Sequence, residues 1–305
     1  MCDLAVIVIS TGQARWLPRC LASLYYHAGG LALDVLVVDN GPMRDAQTLV
    51  EREFPGARAV VCENRGFGHA NNLGLATTAS RYVLFLNPDT EILSGSLAAL
   101  VADLDQRPEV ALAGVRQLDG DGTVQPTMRR FPSVSRTLGD ALGLECVPRR
   151  PDWLGERELR LGRYDEEFEG DWTSGSFMLV RRDALVEAGA FDERFFVYSE
   201  EIDLCLRLRR AGWKVVHLPT VTIFHAGSAA RAVDPAMAKQ NAYSRLQYAR
   251  KHLTAPQRAG VRAALLLRYG LRSVPPVGDG ARRGAARAAA GLVLGFGEPP
   301  FPEGA

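Results

Sequence analysis

The sequence predicts an α/β fold: a mixed, mainly parallel sheet flanked by helices, with a helical appendage at the carboxyl end. Three observations lead there. Short β-branched apolar runs alternate with helix-period stretches through the first hundred residues, each run is followed by a polar cluster, and after Pro235 the pattern is helical throughout. Apolar runs of strand length separated by helices read as βαβ units, whose sheet is buried on both faces.

The strands are expected at Leu4–Ile9, Asp34–Val38, Arg58–Cys62 and Tyr82–Leu86, and the helices between them at Ala14–Tyr26, Arg44–Phe54 and Phe67–Ala79. Such sheets take ligands at the carboxyl ends of their strands. Ser10-Thr11 follows the first strand, Asp39-Asn40 the second, Glu63-Asn64 the third and Asn87-Pro88-Asp89 the fourth, so one cleft would collect them all. Residues 119–170, rich in Pro, Arg and Gly, read as loops and short elements that cover that cleft. Regularity returns with a strand at Ser176–Arg181, helices at Asp183–Ala188 and Glu201–Ala211, and strands at Lys214–His217 and Val221–Phe224. Residues 1–230 then form one large domain in two halves, 1–118 and 119–230. Residues 231–305 form a helical segment with apolar stretches at Val261–Leu271 and Ala281–Leu294 and a frayed tail rich in Pro and Gly.

Composition narrows the function classes. With 305 residues and 47% hydrophobic content the chain can bury a sizeable core. A formal net charge of +1 gives no basis for nucleic-acid binding, which needs a concentrated basic surface. The five cysteines are odd in number and widely spaced, with no CxxC pair, so neither disulfides nor a zinc ribbon is expected. Met1 leads straight into an apolar strand with no basic n-region, and no run reaches the eighteen or so apolar residues that span a bilayer. The expected setting is the reducing cytoplasm. Only three of the 36 basic residues are lysine, a bias of base composition that also supplies planar forks for diphosphates.

Four segments carry chemistry. Asp89 in Asn87-Pro88-Asp89 stands at a strand's carboxyl end, where it can ligate a hard divalent cation; read structurally, the triplet is a turn with Asp89 capping the next helix. The turn Asn64-Arg65-Gly66-Phe67-Gly68-His69-Ala70-Asn71-Asn72 has Asn71 where a dinucleotide fingerprint needs its third glycine, so hydride transfer loses support. What remains is a helix N-terminus open to anionic groups, with Asn64, Gly66 and Asn72 near it; structurally, the glycines serve a tight turn and Asn72 faces solvent. Glu200, Glu201 and Asp203 crowd the start of a helix just after Phe195, Phe196 and Tyr198. They read either as solvated charges favourable to the helix dipole or as a partly desolvated general base. His225, after the strand Val221–Phe224, is a structural histidine or, beside Asp89, a metal ligand.

Together these segments resemble the family 2 glycosyltransferases of GT-A fold, in particular the bacterial branch that contains rhamnosyltransferases of cell-wall and polysaccharide assembly. The resemblance runs from about Leu4 to Arg250. It is most specific in Glu63–Asp89 and Gly175–Pro219, through Arg181-Arg182, Phe191-Asp192-Glu193-Arg194-Phe195-Phe196 and Glu200-Glu201-Ile202-Asp203-Leu204. It implies an inverting hexosyl transfer from a nucleoside-diphosphate sugar, TDP or UDP, to a hydroxyl of a glycan or lipid-linked acceptor, with Mg²⁺ or Mn²⁺. Residues 1–118 would be the nucleotide-sugar half and 119–230 the acceptor half. Ser10, Asp39, Asn64, Gly66, Asn72, Asn87 and Asp89 would bind the nucleotide sugar, with Asp39 on the base, and Asp89 and His225 would hold the metal. Trp172, Ser174 and Gly175 would meet the acceptor. Glu201 would be the base, with Glu200 and Asp203 as alternatives. Two positions depart from the family: Ser10-Thr11-Gly12-Gln13 stands where Asn-Tyr-Asn is usual, and Glu201 replaces the usual Asp, moving its carboxylate outward by about an ångström.

Two other readings compete. A nucleotidyltransferase calls for a glycine- and arginine-rich phosphate loop after the first strand, which Ser10–Leu17 does not supply. A non-catalytic paralogue that binds nucleotide sugars as a partner subunit has no need to retain Asp89, Glu201 and His225 together. For the Arg-bearing apolar helices near the carboxyl end, peripheral docking at the inner face of a membrane, packing on the catalytic domain and homodimerisation all remain open.

Overall fold

The structure is a computed structural model and describes residues 2–12, 15–147, 150–227, 234–275 and 279–301. Strands β1 (Cys2–Ser10), β2 (Leu33–Asp39), β3 (Ala57–Val61) and β4 (Ser80–Leu86) alternate with helices α1 (Leu17–Tyr26), α2 (Asp45–Glu53) and α3 (Phe67–Ala76). The start expected for the first helix, Ala14, lies outside the described residues. Within β1, Leu4, Val6 and Val8 enter one apolar cluster while Ile7 and Ile9 enter another on the opposite face of the sheet. β4 does the same with Tyr82, Leu84 and Leu86 against Val83 and Phe85. That period of two, apolar on both faces, is why these segments form the centre of a sheet covered on both sides. Each fully buried aliphatic side chain contributes about 1.5–3 kcal/mol.

The sequence reading named no element between Asp89 and residue 119. There the chain forms β5 (Thr90–Ser94), α4 (Leu97–Asp105) and β6 (Val110–Leu118). In the expected loop region a helix, α5 (Val134–Ala141), starts at Ser133, whose side chain accepts from Arg136 N. The rest of that region is irregular with short 3₁₀ turns, up to strand β7 (Phe168–Gly170). β8 (Phe177–Arg181), α6 (Arg182–Ala188) and α7 (Glu200–Arg210) fall where expected.

The two strands expected at Lys214–His217 and Val221–Phe224 are one strand, β9 (Lys214–His225). Its register against β6 jumps from Val115↔Leu218 to Arg116↔Thr222, so a bulge carries the chain past Pro219 without ending the strand. The sheet order is β3-β2-β1-β4-β8-β6-β9-β5, with β7 paired to β9. β3, β2, β1 and β4 run parallel, β8 reverses between β4 and β6, and β6 and β9 are parallel again.

Helices α8 (Pro235–His252), α9 (Ala255–Arg272) and α10 (Gly280–Leu294) share an apolar cluster that includes Ala242, Leu265, Ala289 and Val293. The expected boundary near residue 230 and the last four residues of the tail lie outside the described residues. α8 is bound to the body of the protein. Ser244 Oγ donates to Val197 O at 2.8 Å, Gln247 Nε2 donates to Arg194 O at 3.1 Å, and buried Arg245 grips Glu156 through two bonds of 3.0 and 2.8 Å. Packing on the catalytic domain therefore holds for α8.

Candidate active site

The first group of expected residues lies at the carboxyl ends of β1, β2 and β3. Ser10 and Asp39 are opposite each other in the β1–β2 register. Thr11 Oγ1 donates to Asn40 Oδ1 at 2.7 Å, and Asn40 Nδ2 donates to Asn64 Oδ1 at 3.3 Å, which also accepts from Gly66 N. Three strand ends are thus tied by side chains. Asp39 is fully buried; its Oδ1 accepts from Gly41 N at 3.0 Å and its Oδ2 from Gln47 N at 3.1 Å. It satisfies an orphan amide in the first turn of α2 and fixes the loop between. Ser10 is also fully buried, and its hydroxyl has no partner among the described residues.

Asn72 is spent on the protein itself. Its Nδ2 donates to Phe191 O and Glu193 Oε1, and its Oδ1 accepts from Phe191 N. This clamps α3 to the loop Phe191–Ser199. Gly66 is the second attachment: at φ +103° its Cα lies against the Phe196 backbone, and Phe67 N donates to Phe196 O at 2.7 Å. The turn after β3 and the acid-bearing loop are one unit.

Asp89 precedes strand β5, so it caps no helix. The antiparallel β5–β9 register sets Thr90 opposite His225, and Ala226 N donates to Asp89 O at 3.0 Å. His225 Nε2 stands 3.4 Å from Asp89 Oδ1 and 3.4 Å from Asn87 Nδ2. Gln125, which the sequence reading missed, decides the tautomer. Its Nε2 donates to the His225 carbonyl at 3.1 Å, so its Oε1, 3.3 Å from Nδ1, is the acceptor. The imidazole proton then sits on Nδ1, and Nε2 turns its lone pair toward Asp89. Two acceptors facing each other at that distance suit a shared cation, since neighbouring ligands of an octahedral Mg²⁺ are about 3 Å apart. No group of three or more such ligands occurs among the described residues.

The acids of α7 differ sharply. Tyr198 and Ser199, just before the helix, both have φ near +69°, a costly conformation for these residues. Asp203 is fully buried and neutralised: His252 Nε2 and Lys251 Nζ each lie 2.6 Å from Oδ1, and Arg207 Nε lies 2.8 Å from Oδ2. These contacts hold its carboxyl below the usual range despite burial. Glu200 is buried and Glu201 partly so, and each has an Oε2 with no partner in the protein. They are not solvated helix-dipole charges. Burial, then the neighbouring Glu201 charge, pushes the Glu200 pKa well up. Burial also raises Glu201, but backbone amides, Arg129 and Arg245 pull it back. The two neighbouring carboxyls thus differ in surroundings: burial and a like charge press on Glu200, while backbone amides and two arginines offset burial at Glu201. Arg129 and Arg245 were also missed, because no motif marks an arginine in a proline-rich loop or in a distant helix.

On the acceptor side, Trp172 is 3% exposed; its indole N–H donates to Arg130 O at 2.9 Å and Arg129 covers its ring. Ser174 Oγ bonds Ser176 Oγ at 2.8 Å, and Ser176 O accepts from Asn87 N at 2.9 Å, which joins this segment to the Asn87–Asp89 turn. Gly175 faces the Phe67 ring.

Comparison with known proteins bears on the family and the fold. The model of glycosyl transferase family 2 matches residues 5–188, and that of glycosyl transferase family group 2 matches residues 168–269. The chain is similar to the N-acetylglucosaminyl-diphospho-decaprenol L-rhamnosyltransferase of Mycobacterium tuberculosis, with 32% identity covering 87% of this chain and 91% of the relative. It is also similar to the rhamnosyltransferase WbbL of Escherichia coli, with 27% identity covering 72% and 81%. Among solved structures, the mannosyltransferase PcManGT from Pyrobaculum calidifontis, in complex with GDP-Man and Mn²⁺, superposes with TM-score 0.56 at 15% identity over 98% of this chain and 79% of that one. Family match, relatives and shared GT-A architecture place the chain in glycosyl transferase family 2, as a glycosyltransferase of the rhamnosyltransferase-like branch.

Proposed function

We propose that the chain moves rhamnose or a similar hexose from a TDP- or UDP-sugar to a hydroxyl of a polyprenyl-linked glycan in cell-wall or polysaccharide assembly, with inversion. The observation that carries this reading is the unequal carboxyl pair Glu200/Glu201, each with its Oε2 left without a protein partner, on a loop clamped to the turn at Gly66 and Asn72. The acceptor class is supported by the mycobacterial relative's name.

In this reading the nucleotide lies over Ser10, Asn64 and Gly66. Asp39, fully buried with its oxygens on Gly41 N and Gln47 N, would act on the base by fixing the loop beside it. Asn72 contributes by holding Phe191. Mg²⁺ or Mn²⁺ on Asp89 and His225 would supply positive charge to the departing diphosphate, and the lone pair that Gln125 turns toward Asp89 fits that role. Glu201 takes the proton of the acceptor hydroxyl as its oxygen attacks the anomeric carbon opposite the leaving group, and a single displacement inverts that carbon. Glu200, protonated, keeps a second negative charge away from the attacking oxygen. Asp203 anchors α7 to α8. Ser174 and Gly175 face the acceptor, and Trp172 supports it through Arg129.

The exposed Leu267, Leu271, Leu294 and Phe296 support peripheral contact with the membrane that carries such an acceptor. Among the described residues no helix is long and apolar enough to cross a membrane. Flotation with anionic liposomes should carry the full chain upward, and failure to float removes this part of the proposal.

The test is transfer from a panel of nucleotide sugars by wild type, Glu201→Gln and Glu200→Gln, with and without chelator. Glu201→Gln should lose about 10²–10⁴-fold in kcat, Glu200→Gln should retain most activity, and chelator should abolish transfer. Wild-type kcat should rise with pH as Glu201 loses its proton, above the ordinary glutamate range. Transfer by Glu201→Gln equal to wild type removes the assigned base; no turnover of any donor removes the function.

A further inference from the structure

Within the stretch expected to cover the active site and to belong to the acceptor half, residues from Met128 to Val147 and from Arg150 to Gly170 line a cavity of about 550 Å³. A second cavity of about 250 Å³, between this region and helices α8 and α9, shares Arg129, Glu145 and Arg157 with it. Together they are lined by nine arginines and six carboxylates, an excess of positive charge in a chain whose formal net charge is +1. Most of the arginines are paired: Arg130 with Asp152, Arg157 with Glu145, Arg160 and Arg163 with Glu158. Arg129, common to both cavities, is in no ion pair among the described residues, and its buried Nε has no partner there. A buried donor left unmet is costly, so such an atom marks a place where a ligand acceptor or water belongs.

Two further features set the chemistry. Arg129 packs on the Trp172 ring, and its charge favours the ionised form of Glu201, the assigned base. Val147, 50% exposed, lines the cavity, and Trp153 and Leu161, exposed by 57 and 40%, directly follow the lining residues Asp152 and Arg160 in the chain. Arginine forks bind phosphate oxygens in pairs, while exposed apolar side chains beside them suit a hydrocarbon chain.

We propose that this cavity binds the isoprenoid diphosphate moiety of the acceptor: the diphosphate among Arg129, Arg130 and Arg160, and the start of the chain against Val147, Trp153 and Leu161. The sugar on the far side of the diphosphate then points past Arg129 toward Glu201. The proposal rests on the lipid-linked acceptor reading above and adds the site that holds it, separate from the donor diphosphate near Asp89.

Farnesyl diphosphate and inorganic pyrophosphate are titrated calorimetrically into the full chain as wild type, Arg130→Ala/Arg160→Ala and Asp89→Ala. Arg130 and Arg160 pair through their side chains only with partly exposed carboxylates and with each other's neighbours in the loop, and matched melting curves check that the double variant folds. Farnesyl diphosphate should bind wild type and Asp89→Ala alike, and the double variant roughly tenfold or more weaker, as loss of charge-assisted contacts implies. Pyrophosphate should bind more weakly than farnesyl diphosphate. Equal binding by the double variant, or loss of binding in Asp89→Ala instead, overturns the assignment. Transfer is measured in parallel on a farnesyl-diphosphate-linked N-acetylglucosamine and on octyl N-acetylglucosaminide. The double variant should raise KM for the first roughly tenfold and leave the second and the donor KM unchanged. Arginine-dependent farnesyl diphosphate binding without transfer to either acceptor upholds the cavity and removes the acceptor reading.

Discussion

Replacing Gly66 by alanine perturbs the one point where the turn after β3 and the acid-bearing loop meet backbone to backbone. Gly66 has φ +103° and ψ 172°, a region open in practice to glycine alone. An added Cβ would lie 2.3 Å from Phe196 O, 2.7 Å from its Cα and 2.8 Å from its carbonyl carbon. All three are backbone atoms, so no side-chain rotation relieves the clash, and ordinary contact requires a shift of about 1 Å. The conformation costs about 1–3 kcal/mol. Losing the Phe67 N–Phe196 O bond adds about 0.5–1.5 kcal/mol. Urea unfolding should therefore show a loss of about 2–4 kcal/mol. Because the loop runs directly into Glu200 and Glu201, kcat should fall about a hundredfold, the usual effect of an ångström's misplacement. A variant with less than 1 kcal/mol lost (about the cost of one hydrogen bond) and unchanged kcat refutes the idea that this contact positions the acids.

Three further outcomes follow from the same geometry. Asp203→Asn leaves Arg207, Lys251 and His252 around a neutral group, so urea unfolding should show about 3–5 kcal/mol lost, while the pH–rate profile of the folded variant keeps its shape; a profile that collapses makes Asp203 the base. Glu200 has a raised folded pKa, so its contribution to stability is full below the unfolded carboxyl value and is lost as pH rises through the raised one. Glu200→Gln escapes that loss, and its melting temperature relative to wild type should climb with pH; a constant or falling difference contradicts the burial argument. Gln125→Ala frees the His225 ring, and the metal concentration for half-maximal transfer should rise about 10–100-fold, an effect whose absence dissociates Gln125 from the metal.

Much of the fold is legible in the chain itself. β1 to β4 announce themselves because a strand buried on both faces needs an unbroken apolar run, and the polar residues after each run mark where the sheet opens. Asn87-Pro88-Asp89, Gly66 and the acids of α7 stand out for the same local reason. Other parts carry no such signature. β9 reads as two strands because Pro219 interrupts it, and only pairing with β6 carries it through the bulge. α5 lies in a stretch whose composition suggests loops, and its stability comes from packing with α9.

The sequence by itself determined the parallel strands β1 to β4, the polar residues at their carboxyl ends and the set of candidate acids, since these depend on residue type and on neighbours a few positions away. It could not rank Glu200, Glu201 and Asp203, which look alike in a row. Tertiary structure ranks them mainly through residues far away in the chain. Lys251 and His252, with Arg207 one turn along α7, neutralise Asp203, Arg129 and Arg245 favour the charge on Glu201, and no basic side chain counters burial at Glu200. A carboxyl's proton affinity is set by what surrounds it in space, through burial and nearby charge, and that is decided only when α8 and the loop at Arg129 close over the start of α7.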